Sequence, residues 1–201
     1  MPVKALDAAK SRLLPDGDPA RAEWALAFAQ DTIEAVLGTR AVSQVIVVSD
    51  DDRVAAMARA LGVDVLAESP ARGLNAAASR GLAQAHDGPV AIIAADLPCL
   101  TPRALDLVLA LAADDRAAFV SDAQGTGTTM LLGARPAAIV PQFGDRSRAR
   151  HRQAGYREIG LTATPEERDL LARAHRDVDT SVDLDDAVRI GVGRATSQLV
   201  G

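Results

Sequence analysis

Val90-Ala91-Ile92-Ile93-Ala94-Ala95-Asp96-Leu97-Pro98 decides how the rest of this chain is read. The run from Pro89 to Ala95 is apolar without alternation, the pattern of a strand buried on both faces, as in a parallel sheet. Pro98 ends it, because proline brings no N–H to a strand ladder. Asp96 is thereby delivered at the carboxyl end of the strand, and in open α/β sheets ligands sit at that end. Taken alone, Asp96 reads equally as a loop-capping residue or as a metal ligand.

Working outward, the same kind of run recurs. Val45-Ile46-Val47-Val48 is short, apolar and β-branched, and Val63 to Leu66, Ala117 to Val120 and Thr128 to Leu132 are further strands. Helices alternate with them. Arg21 to Leu37 carries Trp24, Ala27, Phe28, Asp31, Ile33 and Val36 on a mostly apolar stripe. Asp51 to Leu61 closes on Gly62, Asn75 to His86 follows, and Thr101-Pro102 reads as an N-cap with a first-turn proline opening a helix to about Ala113. Ser147 to Ala154 and Pro165 to His175 are helical, and Asp183 caps a last helix through Ile190. The alternation predicts an α/β fold, a sandwich around a mostly parallel central sheet.

Composition narrows the function. The 201 residues suit one domain with a full core, built from Ala, Val, Leu and Ile because only five residues are aromatic. A net charge of −5 argues against a general nucleic-acid binder, which carries a basic footprint. No apolar run reaches the ~20 residues of a membrane span, and no secretory signal follows Met1. The single cysteine, Cys99, excludes an intrachain disulfide and a cysteine-rich metal site. The expectation is a cytoplasmic protein. Only two lysines are present, Lys4 and Lys10, in a chain whose other basic residues are all arginine. An ammonium is a compact point charge on a flexible stem, suited to following a phosphate; genomic drift toward arginine is the competing explanation.

Several constellations lie where chemistry is expected. Asp177-Val178-Asp179 puts two carboxylates on one face if the stretch is extended. Oxygen ligands from separate strand ends suit Mg²⁺, which keeps several waters and takes one or two carboxylates; the neighbouring Asp183, Asp185 and Asp186 read instead as N-terminal helix charges. Gly125-Thr126-Gly127-Thr128-Thr129 offers backbone N–H groups and hydroxyls for a phosphate or carboxylate cradle, or forms a tight turn. It is not a Walker A loop. A helix starting near Ser147 would present an anion site, and Arg148, Arg150 and Arg152 read as a solvated face. Asn75 is either an N-cap or a contact to a ribose or base. There is no G-x-S-x-G elbow, no zinc spacing among His86, His151 and His175, and no G-x-G-x-x-G after a first strand.

Taken in order, Pro2-Val3-Lys4, Ala9-Lys10-Ser11-Arg12-Leu13, Leu74-Asn75-Ala76-Ala77, Asp96-Leu97-Pro98, Gly125-Thr126-Gly127-Thr128, Phe143-Gly144 with Ser147, His151 and Ala154-Gly155, and Asp177-Val178-Asp179-Thr180 resemble the guanylyltransferases of coenzyme F-420 biosynthesis. These act on phosphoenolpyruvate or 2-phospho-L-lactate. The resemblance covers nearly the whole chain. It implies a three-layer, glycosyltransferase-A-like nucleotidyltransferase fold and transfer of GMP from GTP to a small phosphorylated carboxylic acid, with release of pyrophosphate. By the same resemblance Asp96, Asp177 and Asp179 would hold Mg²⁺, and Lys4, Lys10 and Arg12 would face the GTP phosphates, with Lys10 and Asp96 catalytic. Asn75 would lie in the nucleoside pocket, and Thr128, Gly144 and Ser147 would receive the acid. A homodimer and hand-over of product to the downstream deazaflavin transferase are the partner expectations. The Ala- and Arg-rich composition looks like that of a high-GC actinobacterium, which favours phosphoenolpyruvate. Family members carry a hydrophobic strand of roughly five residues before Pro-Val-Lys. Here Met1 precedes Pro2, so the expectation for residues 1–201 is one domain with its first strand truncated. A molybdopterin or sugar-1-phosphate nucleotidyltransferase is the rival enzyme; those begin with a Gly-rich loop, and Ala5-Leu6-Asp7-Ala8-Ala9 has no glycine. A catalytically inactive GTP-binding partner is the rival from another class.

Overall fold

The computed structural model describes residues 1–15, 18–68 and 73–201. Strands β1 (Ile46–Val48), β2 (Asp64–Leu66), β3 (Val90–Ile93), β4 (Ala117–Ser121), β5 (Thr128–Gly133) and β6 (Arg157–Glu158) alternate with helices. The helices are α1 (Ala20–Leu37), α2 (Asp52–Ala60), α3 (Leu74–Leu82), α4 (Pro102–Leu111), α5 (Ser147–Gln153), α6 (Pro165–His175), α7 (Ser181–Ile190) and α8 (Arg194–Val200). Among the described residues no helix is long and apolar enough to cross a membrane.

The sheet is mixed, which corrects the expected mostly parallel one. β1 and β2 pair in parallel, while β3, β5, β4 and β6 form a second sheet in that order. β5 runs antiparallel to both β3 and β4, and β4 pairs with β6 in parallel. β5 follows β4 through the short Gly125–Thr128 turn. A connection that short can only return the chain antiparallel, because a parallel crossover needs a dozen residues or more.

Side-chain alternation gives this second sheet two buried faces. Ile93, Ala118, Val120, Met130 and Leu132 pack with Leu105 and Val108 of α4 and Leu171 and Ala174 of α6. Ile92, Ala117, Phe119 and Leu131 pack on the opposite side with Ala78 of α3, Ile139 and Phe143. Unbroken apolar runs were the sequence signature of this two-sided burial. β1 and the amino terminus share a separate cluster with α1 and α2, through Val3, Leu6, Ile33, Val47, Val54 and Val63.

The two sheets do not join. Met1–Val3 runs alongside β1, with Met1 N donating to Ile46 O (2.8 Å), Val48 N to Met1 O (2.9 Å) and Val3 N to Val48 O (2.9 Å). Beyond it an apolar cavity of about 540 Å³ separates β1 from β3, lined by Met1, Val45, Ile46, Ala91, Ile93 and Leu132 among others.

Several boundaries move for local reasons. α3 stops at Leu82 instead of His86, because Gln84 N and Ala85 N tighten onto Gly81 O and Leu82 O ahead of Gly88 (φ +142°) and Pro89. β3 ends at Ile93; Ala94 makes a last ladder bond to Thr129 O before the chain turns into Asp96. The N-cap of α7 is Thr180, not Asp183. Asp183 sits at the third helical position and returns a bond to Thr180 N (2.9 Å), a capping box. Helix α8, absent from the sequence reading, is held by Asp31 of α1, whose carboxylate accepts from Ala195 N (2.8 Å) and Thr196 N (2.9 Å). Asp31 on the buried stripe of α1 is thus an N-terminal cap supplied from another helix.

Candidate active site

Three distant stretches meet around Asp96. The buried Thr32 hydroxyl donates to Phe28 O (2.7 Å) and accepts from Leu97 N (3.1 Å), which pins the turn after β3. The Asp96 carbonyl accepts from Val178 N (3.1 Å), laying the 177–179 stretch beside it. Val178 is fully buried, so the alternation of an extended chain turns Asp177 and Asp179 away from the core, toward Asp96.

Lys10 reaches this acidic group from the amino-terminal loop. Its Nζ donates to Asp96 Oδ2 (2.5 Å) and Asp179 Oδ1 (3.1 Å), with the side chain only 7% exposed. Arg12 pairs with the other oxygen of Asp179. Burial acts to lower the Lys10 pKa, but the Asp96 and Asp179 carboxylates outweigh it and hold the ammonium above its ordinary value. Asp177 has no such cation partner. Burial, then the carboxylates of Asp96, Asp179 and Asp122, push its carboxyl up to about 7, against the pull of Lys10.

Asp96, Asp177 and Asp179 thus lie within electrostatic reach of one another without forming a closed cage. Among the described residues no three acidic, histidine or cysteine side chains converge as a metal site. The ammonium of Lys10 stands between Asp96 and Asp179. Lys4 is exposed, and with Lys10, Arg12, Leu74, Asp96 and Asp179 it lines a cavity of about 330 Å³.

Asn75 falls outside that lining and is not the N-cap of α3. The N-cap of α3 is Gly73, at φ +101°. Both ends of the Asn75 amide are engaged by the backbone of one residue: Oδ1 accepts from Phe143 N (2.7 Å) and Nδ2 donates to Phe143 O (3.1 Å). Arg150 adds bonds to Gln142 O and Phe143 O (both 3.1 Å). Asn75→Ala is expected to cost about 1 kcal/mol, since the freed Phe143 groups are partly reached by water. In a chain of this size that is roughly 2–4 °C in Tm; an unchanged thermal transition would show that the clamp contributes nothing.

Gly144 and Ser147 follow this clamp along the chain, and Thr128 is tied to it through His151, which bonds Gln142 N. Ser147 N bonds Gly144 O (3.0 Å), and Arg148 N bonds Thr126 O (3.2 Å), joining the start of α5 to the 125–128 turn. These bonds engage the first N–H groups of α5, so the expected helix-terminal anion site is not available. Nor is the Gly125–Thr129 stretch an open cradle. Asp122 closes it as a turn, accepting from Thr126 N (2.8 Å) and Gly127 N (2.7 Å). Among the described residues the Gly144 N–H and the Ser147 hydroxyl have no partner, and the Thr128 hydroxyl meets His151 alone. Arg148 and Arg150 face inward: Arg148 bonds Glu158 Oε1 (2.8 Å) and Gly125 O (3.0 Å). Two members of the basic run are braces, not a solvated face.

Sequence reasoning missed Thr32, Asp122 and the setting of His151. Asp122 had a readable signal, an aspartate just before a Gly-Thr-Gly turn. His151 is fully buried, its ring 5.6–5.8 Å from those of Phe119, Phe143 and Tyr156. Burial first, and Arg150 second, bring its pKa down to about 4.

Comparison with known proteins identifies the family. A family model described as guanylyl transferase CofC like matches residues 1–199. The chain is 46% identical over 202 residues to the phosphoenolpyruvate guanylyltransferase of Streptomyces coelicolor, covering 98% of this chain and 92% of that one. The enzyme of the same name from Streptomyces scabiei is 45% identical over 206 residues, with the same coverage. Among solved structures, a nucleotidyl transferase from Methanothermobacter thermautotroptrophicus superposes with a TM-score of 0.61 at 19% identity, over 94% of this chain and 97% of that one. The CMP:2-keto-3-deoxy-manno-octonic acid synthetase complexed with CTP gives 0.58 at 15%, over 94% and 95%. These two likenesses establish a nucleotidyltransferase-like mixed α/β fold, and the near-complete family match with relatives above 40% identity establishes that the chain belongs to the CofC-like guanylyl transferases.

Proposed function

We propose that this chain transfers GMP from GTP to phosphoenolpyruvate and releases pyrophosphate, on a three-layer, glycosyltransferase-A-like scaffold. The observation that carries the reading is the Lys10 ammonium held between Asp96 and Asp179 in a cavity that also exposes Lys4 and Arg12. The names of the relatives above supply the acid.

The chemistry joins two anions. An oxygen of the acid's phosphate attacks the α-phosphorus of GTP, a new P–O bond forms there, and the bond to the bridging oxygen breaks as pyrophosphate leaves. The attacking phosphate is already ionised, so no protein base is required. The chain's task is to neutralise and align charge. Lys10 supplies a fixed point charge whose protonation the two aspartates guarantee. Arg12 and Lys4 add charge at the triphosphate. On the acid's side, Gly144 N–H and the Ser147 and Thr128 hydroxyls are donors placed for a carboxylate or phosphate.

The acidic group fits a Mg²⁺ ion. Asp177 lies among the carboxylates of Asp96, Asp179 and Asp122 with more negative charge than Lys10 balances. Mg²⁺ keeps most of its waters and takes one or two carboxylates, so Asp96, Asp177 and Asp179 can hold it without a closed cage. When bound, it would neutralise charge on the triphosphate oxygens. The test incubates the chain with GTP and Mg²⁺ plus either phosphoenolpyruvate or 2-phospho-L-lactate, and measures pyrophosphate. Release dependent on phosphoenolpyruvate and abolished by EDTA is expected; no release with any small phospho-acid would sink the reading.

A further inference from the structure

His151 lies outside the roles assigned so far, yet its hydrogen bonds determine the state of another group. Gln142 N lies 3.3 Å from His151 Nε2. A backbone N–H can only donate, so Nε2 must carry the lone pair. The ring proton of a neutral imidazole then sits on Nδ1, 2.9 Å from Thr128 Oγ1. Thr128 Oγ1 is therefore the acceptor in that pair. Among the described residues the hydroxyl has no other partner, so its own proton is left free to donate to a ligand.

We propose that His151, locked as the Nδ1–H tautomer by the Gln142 N–H, is a positioning residue that holds the Thr128 hydroxyl as a donor for the anionic end of the phospho-acid. Without it the hydroxyl would be free to turn its lone pairs to that anion and repel it. The surroundings support the lock. The ring is buried and wedged among Phe119, Phe143 and Tyr156, which leaves it no alternative orientation in which to find other partners. The same bond ties the acid's cluster to the Phe143 clamp, since Gln142 adjoins the residue whose backbone Asn75 grips. The inference rests on the functional reading above for the identity of the anion, but not for the tautomer.

Two measurements test it. Nitrogen-15 NMR of the histidine rings in the full, ligand-free chain reads the tautomer directly. An Nδ1–H pattern at His151 is expected; an Nε2–H pattern would overturn the proposal. Steady-state kinetics then compare His151→Phe, which keeps a flat ring and loses the donor, with His151→Asn, whose amide N–H takes the place of Nδ1–H. His151→Phe is expected to raise the KM for phosphoenolpyruvate tenfold or more while the KM for GTP stays within twofold, and His151→Asn to recover most of the loss. Equal rises in both KM values, or no recovery with Asn, would mark a merely structural role and reject positioning. A wild-type chain inactive on every phospho-acid rejects the functional reading itself, and the acid-positioning role with it. An active wild type with an insensitive His151→Phe variant rejects the positioning role alone.

Discussion

Lys10→Arg is expected to cut the rate of GTP-dependent pyrophosphate release more than tenfold, and Lys10→Met roughly 10²–10³-fold, the range for losing one preorganised charge at a developing oxyanion. The arginine variant is the more informative, because charge is conserved and only its shape changes. Lys10 Nζ sits 2.5 Å from Asp96 and 3.1 Å from Asp179, on a side chain 7% exposed and a backbone at φ +55°. A planar guanidinium engages carboxylates through a rigid fork and cannot serve as a point charge between two of them. It would lock onto one aspartate and leave the other unpaired. Stability should respond as well. Removing one partner of a fully buried pair costs ~3–5 kcal/mol, but Asp96 and Asp179 are 28% and 34% exposed and remain partly hydrated. Lys10→Met is therefore expected to cost about 2 kcal/mol, discounted for that exposure. Thermal unfolding separates the two effects. Loss of rate in Lys10→Arg with a near-native Tm supports the charge argument, whereas a near-wild-type rate would return the lysine to compositional accident.

How far the sequence carried the reading differs between strands, loops and site. The apolar runs at 45–48, 90–93 and 117–120, and the strand at 128–132, were legible because burial on both faces leaves a simple signature. The antiparallel return of β5 had its own signal, a connection to β4 too short for a parallel crossover, but the alternation of strands with helices elsewhere masked it. α8 escaped because its docking depends on Asp31, a hundred and sixty-odd residues away in sequence, accepting its first N–H groups. At the site, Lys10, Arg12, Asp96 and Asp179 do come together, because Thr32 and the Asp96 carbonyl fix the turns that carry the two aspartates and Arg21 holds Ala9 O beside Lys10. The bonds of Asn75 were not legible in this way. An amide beside a helix start suggests a cap or a ligand contact, and nothing local reveals that Phe143, sixty-eight residues on, engages both its ends.

A five-residue apolar strand fused ahead of Met1 is expected to raise Tm by roughly 10 °C, while a Gly-Ser extension of the same length leaves it unchanged. The argument begins with sheet edges. β1 is paired on one side by β2 and on the other, among the described residues, by Met1–Val3 from Ile46 to Val48. β3 is paired on one side by β5. Between β1 and β3 lies an apolar cavity of about 540 Å³ lined by Val36, Val45, Ile46, Ala91, Ile93, Ala118 and Leu132. Strand edges facing such a space leave backbone groups without partners, and each is costly when water is kept away. Met1 N already points along the direction a strand would take, since Pro2 pairs in parallel with Val48. A strand continued back from Met1 would supply ladder bonds to both edges and bury four or five aliphatic side chains. Burial contributes ~1.5–3 kcal/mol for each such side chain, against ~1–2 kcal/mol per residue of backbone ordering. The balance is a net gain of about 3 kcal/mol, or roughly 6–12 °C for a chain of this size. The same closure would stiffen Met1–Lys4 and the turn at Leu6–Ala8 that leads to Lys10, so the rate should rise with the Tm. Equal melting temperatures for the apolar and Gly-Ser extensions would show that the cavity does not accept a strand. A higher Tm without a higher rate would show that the amino terminus already holds Lys10 in place.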